Sequence, residues 1–291
     1  IEQSARNASK SFINFNGTCG VWRKNCIADA GDWKADTLTE DLDLSYRAQL
    51  NGWKFKYLEE VETPGELPII MNAIKSQQYR WNKGGAETAR KNFKNVLTSK
   101  LPIASKVHAF FHLYNSSVFV CLLIAAVLSV PMLYIKAQHP SIEWIFDLGI
   151  IFIIGFFSIT FFYWTAAKRF YGSNSSRAFF SLYPKFLLVS MGLSLHNGLA
   201  VLEGLVGYKT PFIRTPKFNV KIKGDSWKGN DYVNVKMNAI TLMEGVLCLY
   251  FLFGVGAGFF LEDLGLVFFH LMLMLGFGGV FFYSVKPAGN A

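Results

Sequence analysis

"TLTEDLDLSYRAQLNGWK", residues 37–54, gathers three carboxylates in the first turn of a predicted helix: Glu40, Asp41 and Asp43. Acidic side chains are favoured there because the positive end of the helix dipole lies at the N-terminus. The stretch is therefore typical of a well-started helix. In a chain whose formal net charge is +9, the same cluster is also a candidate for proton transfer. The rest of the sequence has to decide between these two interpretations.

The same stretch has the periodicity of an amphipathic helix. Leu42, Tyr46 and Leu50 recur at every fourth position and form one apolar face. Thr37, with an acid three residues later, fits a capping box, which makes Thr37 the predicted N-cap. Asp41 lies off the apolar face and near the helix tip, where a ligand could reach it.

Composition divides the chain into a polar part and a membrane part. Hydrophobic residues make up 52% of the 291 residues, but long apolar runs dominate only from residue 107 onward. Short alternating runs at 11–15 and 53–60 predict strands in the polar part. A bilayer requires about 20 apolar residues per helix. We therefore predict an α/β soluble domain over residues 1–102 and an all-α membrane domain over residues 103–291, with spans at 113–135, 145–166, 238–260 and 264–285.

The distribution of basic residues predicts the orientation of the spans. Lys and Arg are frequent in 167–177 and 207–236, whereas the connections 136–144 and 261–263 together carry one Lys. Cytosolic loops are enriched in basic residues. We therefore expect a multi-pass inner or plasma membrane protein with both ends of this sequence cytosolic. The apolar stretch 180–206 has basic segments on both sides and is predicted to be interfacial, with a fifth span as the alternative.

Other features of the sequence fit a membrane surface. A second interfacial helix is predicted at 103–112, and the basic segment 207–236 is predicted to be a cytosolic loop. The basic excess therefore indicates the membrane face, and we expect no nucleic-acid partner. The cysteines form no C-x-x-C pair and no His/Cys cluster, so no metal site is expected from them.

Two further motifs lie on either side of the acidic helix. "FNGTCGVWRK", residues 15–24, contains an Asn-Gly turn whose glycines let a ligand approach the backbone. "QQYRW", residues 77–81, places Gln77, Arg80 and Trp81 on one face of a helix. A guanidinium fork suits phosphate oxygens, and an indole suits the C–H face of a sugar ring. A simple tight turn and an Arg-Trp pair at a membrane surface are the structural alternatives.

Taken together and in this order, "FNGTCGVWRK", "TEDLDLSYRAQLNGWKF", "ELP" and "QQYRW" resemble the processive family 2 glycosyltransferases, especially the cellulose synthase-like and glucomannan synthase-like proteins. The motifs cover residues 1 to about 100, and membrane helices follow directly, as in that family. The resemblance implies a hexosyltransferase. It also implies a partial GT-A type nucleotide-sugar transferase domain, followed by a transmembrane bundle with interfacial helices.

The resemblance implies a role for several residues. The Asp of T-E-D is the catalytic base in that family, and Asp41 matches it. One carboxylate suffices for an inverting transfer, because the acceptor hydroxyl loses one proton as it attacks. Acceptor or diphosphate binding is implied for Thr39, Glu40, Gln77, Gln78, Arg80 and Trp81, and an acceptor-lining loop for Asn16, Gly17, Thr18 and Cys19.

The stretch "TPFIRTPK", residues 210–217, resembles the F-x-V-T-x-K gating loop of bacterial cellulose synthase. Phe212, Thr215 and Lys217 occupy the matching positions. Arg214 stands where that pattern has Val, which leaves open whether this loop gates the pocket in the same way.

The family's metal motif, D-x-D, has no counterpart in the matching context of this sequence. The resemblance implies Mg²⁺ or Mn²⁺ bound mainly by an upstream half. We therefore expect the sequence to be the C-terminal part of a longer chain, without metal ligands or a nucleotide site of its own, and inactive by itself.

The leading functional hypothesis is transfer of a hexose from a nucleotide sugar, UDP-glucose or GDP-mannose, to a growing β-glycan at the membrane. One alternative is a non-processive transferase that uses a lipid acceptor such as ceramide or a polyprenyl phosphate. Another is a transporter or scaffold without chemistry. The near absence of charged residues within the spans weighs against a transporter.

Overall fold

The computed structural model describes residues 1–215 and 237–286 of the chain. These residues form two compact units, one containing Ile1–Cys121 and the segment that follows Leu195, the other containing Leu122–Ser194 and the segment that ends at Lys286. The helices are α1 (Glu2–Ala8), α2 (Lys24–Asp29), α3 (Glu40–Leu50), α4 (Met71–Thr98), α5 (Ile103–Leu113), α6 (Val118–Gln138), α7 (Glu143–Asp147), α8 (Ile150–Tyr171), α9 (Ser175–Gly192), α10 (Ser194–Val206), α11 (Ala239–Phe260) and α12 (Val267–Val285).

In the first unit, α3 lies between two apolar clusters. On one side Tyr46 stacks on Phe12, with ring centroids 4.6 Å apart, in a cluster that also contains residues of α4 and α5. On the other side Leu44 and Ala48 pack with Cys26 of α2. A helix held on two faces has a fixed position, so the acidic N-terminus of α3 is placed by packing on both sides.

A buried hydrogen bond joins α3 to α5 within the first cluster. The hydroxyl of Tyr46 lies 2.7 Å from Nδ1 of His112. Burial lowers the pKa of His112 to about 3, and the nearby charge of Arg6 contributes in the same direction. The imidazole is therefore neutral at physiological pH and acts as a structural hydrogen-bonding group.

A buried carboxylate joins α3 to α4. Asp43, whose side chain is fully buried, accepts from Asn92 Nδ2 at 2.8 Å and from Lys91 Nζ at 2.9 Å. Arg47, one turn later on α3, donates to the same carboxylate at 3.0 Å. Buried charges are tolerated when they are paired and hydrogen-bonded. Asp43 is therefore the structural acid of the cluster in residues 37–54.

The predicted strands are not formed in the part of the chain that the structure describes. A strand requires a neighbouring strand for its backbone hydrogen bonds. Residues 11–15 bond instead to side chains of α3, since Ile13 pairs with Gln49 and Phe15 with Ser45. The segment 53–60 is irregular. The α/β class is thus not confirmed, and the described part of the first unit is helical.

The N-terminus of α3 also differs from the prediction. The capping box placed Thr37 at the N-cap, but the helix begins at Glu40, with Thr39 in the N-cap position and no side-chain capping hydrogen bond. Thr39 is instead directed at α4, with its hydroxyl 3.3 Å from that of Thr88. Contact with α4 therefore overrides the local capping preference.

In the second unit, α8 and α9 form an antiparallel hairpin. Gly172, with a φ of 53°, lies between them. Trp164 packs edge-on against Phe179, with centroids 5.2 Å apart, and Thr160 Oγ1 lies 2.8 Å from the hydroxyl of Tyr183. Pairing of earlier residues of α8 with later residues of α9 fixes the antiparallel direction.

Small residues and polar pairs hold the other helices of the second unit together. A Cβ at Gly192 of α9 would lie 2.2 Å from the carbonyl oxygen of Gly276 of α12, so the two backbones are in direct contact. Ser129 of α6 bonds His270 of α12 at 2.8 Å. Close approach at small residues and interhelical hydrogen bonds are typical of packing between membrane helices.

Four segments of the described chain are long and apolar enough to cross a membrane. The predicted interfacial stretch 180–206 is divided at Leu193 between α9, in the second unit, and α10, in the first. The predicted domain boundaries and interfacial positions stay predictions. The four segments are Asn115–Gln138, Trp144–Gly192, Ala239–Phe260 and Val267–Val285.

Replacing Asp43 with Ala is expected to lower the free energy of unfolding by about 3 kcal/mol, because Asn92 and Lys91 lose a buried partner. Denaturant unfolding of the detergent-solubilised protein, followed by circular dichroism, measures the change.

The matched control is Asp36→Ala, which removes another carboxylate from the same Lys91. The Asp36 side chain is 52% exposed and its ion pair is 2.7 Å long, so the expected loss is below about 1 kcal/mol. Equal losses for the two variants would contradict a special role for the buried carboxylate.

Candidate active site

The T-E-D sequence and the Q-x-x-R-W helix touch at Gly84. This glycine lies one turn after Arg80 on the same face of α4, and a Cβ there would lie 2.7 Å from the backbone nitrogen of Thr39. A glycine inside a helix costs about 1 kcal/mol relative to alanine. Here its missing side chain lets the backbone just before α3 rest directly on α4. This contact brings the first turn of α3, which carries Asp41, close to the turn of α4 that follows Arg80.

Asp41 presents its carboxylate beside the Asn-Gly turn. A Cβ at Gly17 would lie 3.5 Å from Oδ2 of Asp41, and the Leu42 amide donates to Oδ1 at 2.8 Å. Burial raises the pKa of Asp41, and hydrogen bonds from the Leu42 and Gly17 amides oppose this shift. A first-turn position alone favours the ionised form, so burial outweighs it. A raised pKa brings a carboxylate closer to the value that suits a general base.

The guanidinium of Arg80 lies within electrostatic reach of these acids. Burial lowers the pKa of Arg80, whereas the charges of Glu40 and Asp41 raise it. Arg80 Nη2 donates to Thr215 Oγ1 at 3.3 Å, and its guanidinium carbon lies 4.8 Å from the centre of the Phe212 ring. The loop after α10 therefore covers a cation that faces two carboxylates.

The other residues predicted on α4 and on the gating loop are half-buried or exposed where the structure describes them. Gln77 and Gln78 are half-buried. Trp81, on the face of Gln77, is 51% exposed, which leaves its indole open to a ligand. Arg214 is exposed. Lys217 lies outside the described residues.

The predicted acceptor-lining loop is an exposed tight turn. Asn16, Thr18 and Cys19 are all exposed. The Thr18 amide donates to the carbonyl of Asn16 at 2.9 Å, and Asn14 Nδ2 donates to the side chain of Asn16 at 2.6 Å. With Gly17 at a φ of 72°, the turn presents its backbone rather than a bulky side chain next to Asp41.

An ion pair that the motif analysis missed anchors α10 to α4. Lys83 is fully buried, and its Nζ donates to Glu203 Oε2 at 2.8 Å. The hydroxyl of Tyr79 donates to the same oxygen of Glu203. The ring of Tyr208, at the start of the loop that reaches Arg80, lies 5.0 Å from Lys83 Nζ. The anchor therefore fixes the root of that loop.

Sequence signals for these contacts exist but are weak. Glu203 interrupts an apolar stretch, which indicates a buried polar partner. Gly84 stands inside a helix, where glycine is disfavoured unless two backbones meet. Neither signal names the partner, because the residues that form each contact are far apart in sequence.

The described residues do not form a metal site. Within residues 1–215 and 237–286 there is no group of three or more His, Cys, Asp or Glu side chains that could hold a metal ion. Glu40 and Asp41 alone offer fewer ligands than a divalent cation normally takes from a protein site. No step is therefore assigned to a metal held by these residues.

The T-E-D residues before and within α3 and the Q-x-x-R-W helix α4 thus meet in the structure, with a partly buried carboxylate at Asp41 whose charge acts on the guanidinium of Arg80. A family model described as "Glycosyl transferase family group 2" matches residues 2–192. The chain belongs to this family, and the predicted resemblance is confirmed.

Curated relatives agree with this assignment. The chain is 38% identical to glucomannan 4-beta-mannosyltransferase 1 of Cyamopsis tetragonoloba over 148 residues, 47% of this chain and 28% of the relative. It is 45% identical to probable glucomannan 4-beta-mannosyltransferase 7 of Oryza sativa subsp. japonica over 115 residues, 40% of this chain and 19% of the relative. For glucomannan 4-beta-mannosyltransferase 9 of Arabidopsis thaliana the identity is 36% over 141 residues, 45% of this chain and 26% of the relative.

The matched part of the chain thus covers between 19% and 28% of the length of these relatives. No solved structure gives a significant match.

Replacing Glu203 with Gln is expected to lower the free energy of unfolding by about 2 kcal/mol, because the ammonium of Lys83 stays buried without its counter-charge. The loss is smaller than for a fully buried pair, since the Glu203 side chain is 36% exposed. Thermal unfolding in detergent measures it.

The ion pair of Glu2 and Arg6, 2.8 Å apart, provides the control, because the Glu2 side chain is 57% exposed. Glu2→Gln is expected to change stability by less than about 0.5 kcal/mol. A similar loss of unfolding free energy in both variants would mean that the Lys83–Glu203 ion pair stabilises the fold no more than the Glu2–Arg6 pair does.

Proposed function

We propose that this chain supplies the acceptor side of a membrane-embedded, inverting glycosyltransferase that transfers a hexose from a nucleotide sugar to a growing β-glycan. The observation that carries the proposal is that Gly84 brings the T-E-D segment against α4, where the charge of Asp41 acts on the guanidinium of Arg80 and Phe212 and Thr215 contact that guanidinium. A displacement from a nucleotide sugar releases a proton from the acceptor hydroxyl and leaves negative charge on the diphosphate. A carboxylate can take the proton, and a guanidinium can stabilise the negative charge.

In the proposed reaction, the terminal hydroxyl oxygen of the acceptor attacks the anomeric carbon of the donor sugar. The new C–O bond forms as the bond to the nucleotide diphosphate breaks with its electron pair. Asp41 takes the hydroxyl proton. Arg80 stabilises the negative charge that develops on the departing diphosphate.

Surrounding residues support an acceptor that arrives as a sugar chain. The exposed indole of Trp81 offers a stacking surface for a pyranose ring on the face of α4 that carries Arg80. The turn at Asn16–Cys19 presents backbone beside Asp41. Phe212 and Thr215 would gate access to the diphosphate side, because both contact Arg80.

The apolar helices support a location in the membrane. Four segments have the length and composition of spans, and side chains such as Phe152, Ile154 and Phe161 leave much of α8 apolar and exposed. An exposed apolar surface of this kind is suited to lipid. We place the soluble part, and both ends of this sequence, on the cytosolic side because of the basic loops.

The names of the relatives support the proposed substrate class. Their names state transfer of mannose in glucomannan, and we propose GDP-mannose or UDP-glucose as donor and a β-glycan as acceptor for this chain. Any divalent metal that assists the donor would need ligands beyond the described residues.

Replacing Asp41 with Asn is expected to reduce sugar incorporation by the complete membrane protein about 10²- to 10⁴-fold, because the amide cannot accept the hydroxyl proton. Since burial raises the pKa of Asp41, wild-type activity should fall as the pH drops through a midpoint above the ordinary value of about 3.9 for Asp. Radiolabelled sugar incorporation across a pH series measures both effects.

The exposed acid Asp32 provides the control, and Asp32→Asn should keep wild-type incorporation. Turnover retained in Asp41→Asn at unchanged folding would remove Asp41 from the mechanism.

Membranes that contain the complete protein are expected to incorporate label from GDP-mannose or UDP-glucose into a long, ethanol-insoluble polymer. Digestion by an endo-β-mannanase or an endo-β-glucanase would identify the polymer. A product soluble in organic solvent, with one sugar on a lipid, would instead support the non-processive alternative and contradict polymer synthesis.

A further inference from the structure

We propose that Ser45 and Gln49 are positioning residues that set the Asn-Gly turn in register with Asp41. Asp41, Ser45 and Gln49 lie one turn apart along α3. Their side chains face alternate residues of the segment that leads into the turn. The inference rests on the proposed role of Asp41 as the base, and it assigns a function to two residues that no motif includes.

The contacts form a ladder between a helix and a non-helical segment. Gln49 Nε2 donates to the carbonyl of Ile13 at 2.6 Å, and Gln49 Oε1 accepts from the Ile13 amide at 3.0 Å. One turn earlier, Ser45 Oγ accepts from the Phe15 amide at 2.9 Å and donates to the carbonyl of Asp41 at 2.6 Å. Ser45 is fully buried and Ile13 is 4% exposed, so water competes little for these bonds.

The register continues to the reacting group. Ile13 lies opposite Gln49 and Phe15 opposite Ser45, so the next step places Gly17 opposite Asp41. A Cβ at Gly17 would indeed lie 3.5 Å from Oδ2 of Asp41. Ser45 and Gln49 therefore place the turn at Gly17 next to the carboxylate of Asp41. In the proposed reaction neither side chain contacts the substrate.

Helix and chain geometry explain why this ladder fits. Four residues of helix advance about 6 Å, and two residues of an extended chain advance about 6.6 Å. The two repeats nearly coincide over the two steps from Gln49 to Asp41, so Gln49 and Ser45 can both bond the segment that leads to Gly17. Loss of either would let the turn slide along α3 relative to Asp41.

The test compares Gln49→Met with Asn51→Leu in the complete protein. Met keeps the length of the side chain but removes both hydrogen bonds to Ile13, together with the bond from Gln49 Nε2 to the carbonyl of Ser45. Asn51 is the control because its side chain makes a bond of the same kind without touching the segment that leads into the turn. Its Nδ2 donates to the carbonyl of Asp29 at 2.8 Å. Gln49→Met is expected to raise the KM for a glycan acceptor and to lower kcat about tenfold or more, since small misplacements near a reacting group are costly. The KM for the nucleotide sugar should stay unchanged, and Asn51→Leu should leave all three constants at wild-type values.

A second measurement reports the turn itself, independently of catalysis. Cys19 is exposed and lies in the turn, so a nitroxide label there reports its order once the exposed Cys121 and the partly exposed Cys248 have been replaced with Ser. Gln49→Met should mobilise the label, and Asn51→Leu should not. Ser45→Ala, which removes the bond to the Phe15 amide, provides a second variant with the same expectation should Gln49→Met fail to fold.

The outcomes separate this inference from the proposed function. Wild-type acceptor kinetics and an immobile label in both Gln49→Met and Ser45→Ala would overturn the positioning role, even if Asp41→Asn is inactive. A mobile label with a raised acceptor KM supports it. If Asp41→Asn stays active, the proposed function fails, whereas a mobilised label would still establish the register between α3 and the turn.

Discussion

The contact between α3 and α4 is the constraint on which the described site depends. The buried carboxylate of Asp43 fixes one end of this contact through Asn92 and Lys91. Gly84 fixes the other by removing the side chain that would keep the two segments apart. Between these points Asp41 has little freedom, which is what a group that exchanges a proton with a bound substrate requires.

The three acids in the first turn of α3 have different surroundings. Asp43 is buried with charged and amide donors and serves the fold. Asp41 is partly buried beside backbone amides, so its pKa is raised while it stays open to the turn. Glu40 is half-buried and acts through its charge on Asp41 and Arg80. The division of roles follows from burial and partners, since the three residues share the same helix dipole.

Helix α4 uses two faces for two purposes. One carries Arg80 and Gly84 toward α3, and the adjacent one carries Tyr79 and Lys83 toward Glu203 of α10. The loop that leaves α10 then returns to Arg80. A single helix thereby relates the segment that carries Asp41, the guanidinium of Arg80 and the loop that contacts this guanidinium. In the second unit, contact of small residues between α9 and α12 achieves comparable rigidity without charges.

The sequence by itself determined the apolar segments, the helical nature of residues 40–50 and 77–81, and the identity of the family, because these depend on local periodicity and on short motifs. It did not determine which extended-looking runs form strands, since pairing depends on a neighbour; residues 11–15 are held by Ser45 and Gln49 instead. Only the tertiary structure distinguished Asp41 from Asp43 by their partners and brought Lys83 to Glu203 across 120 positions. Local sequence records the preference of each segment, whereas burial and the choice of hydrogen-bond partner arise only when distant segments pack together.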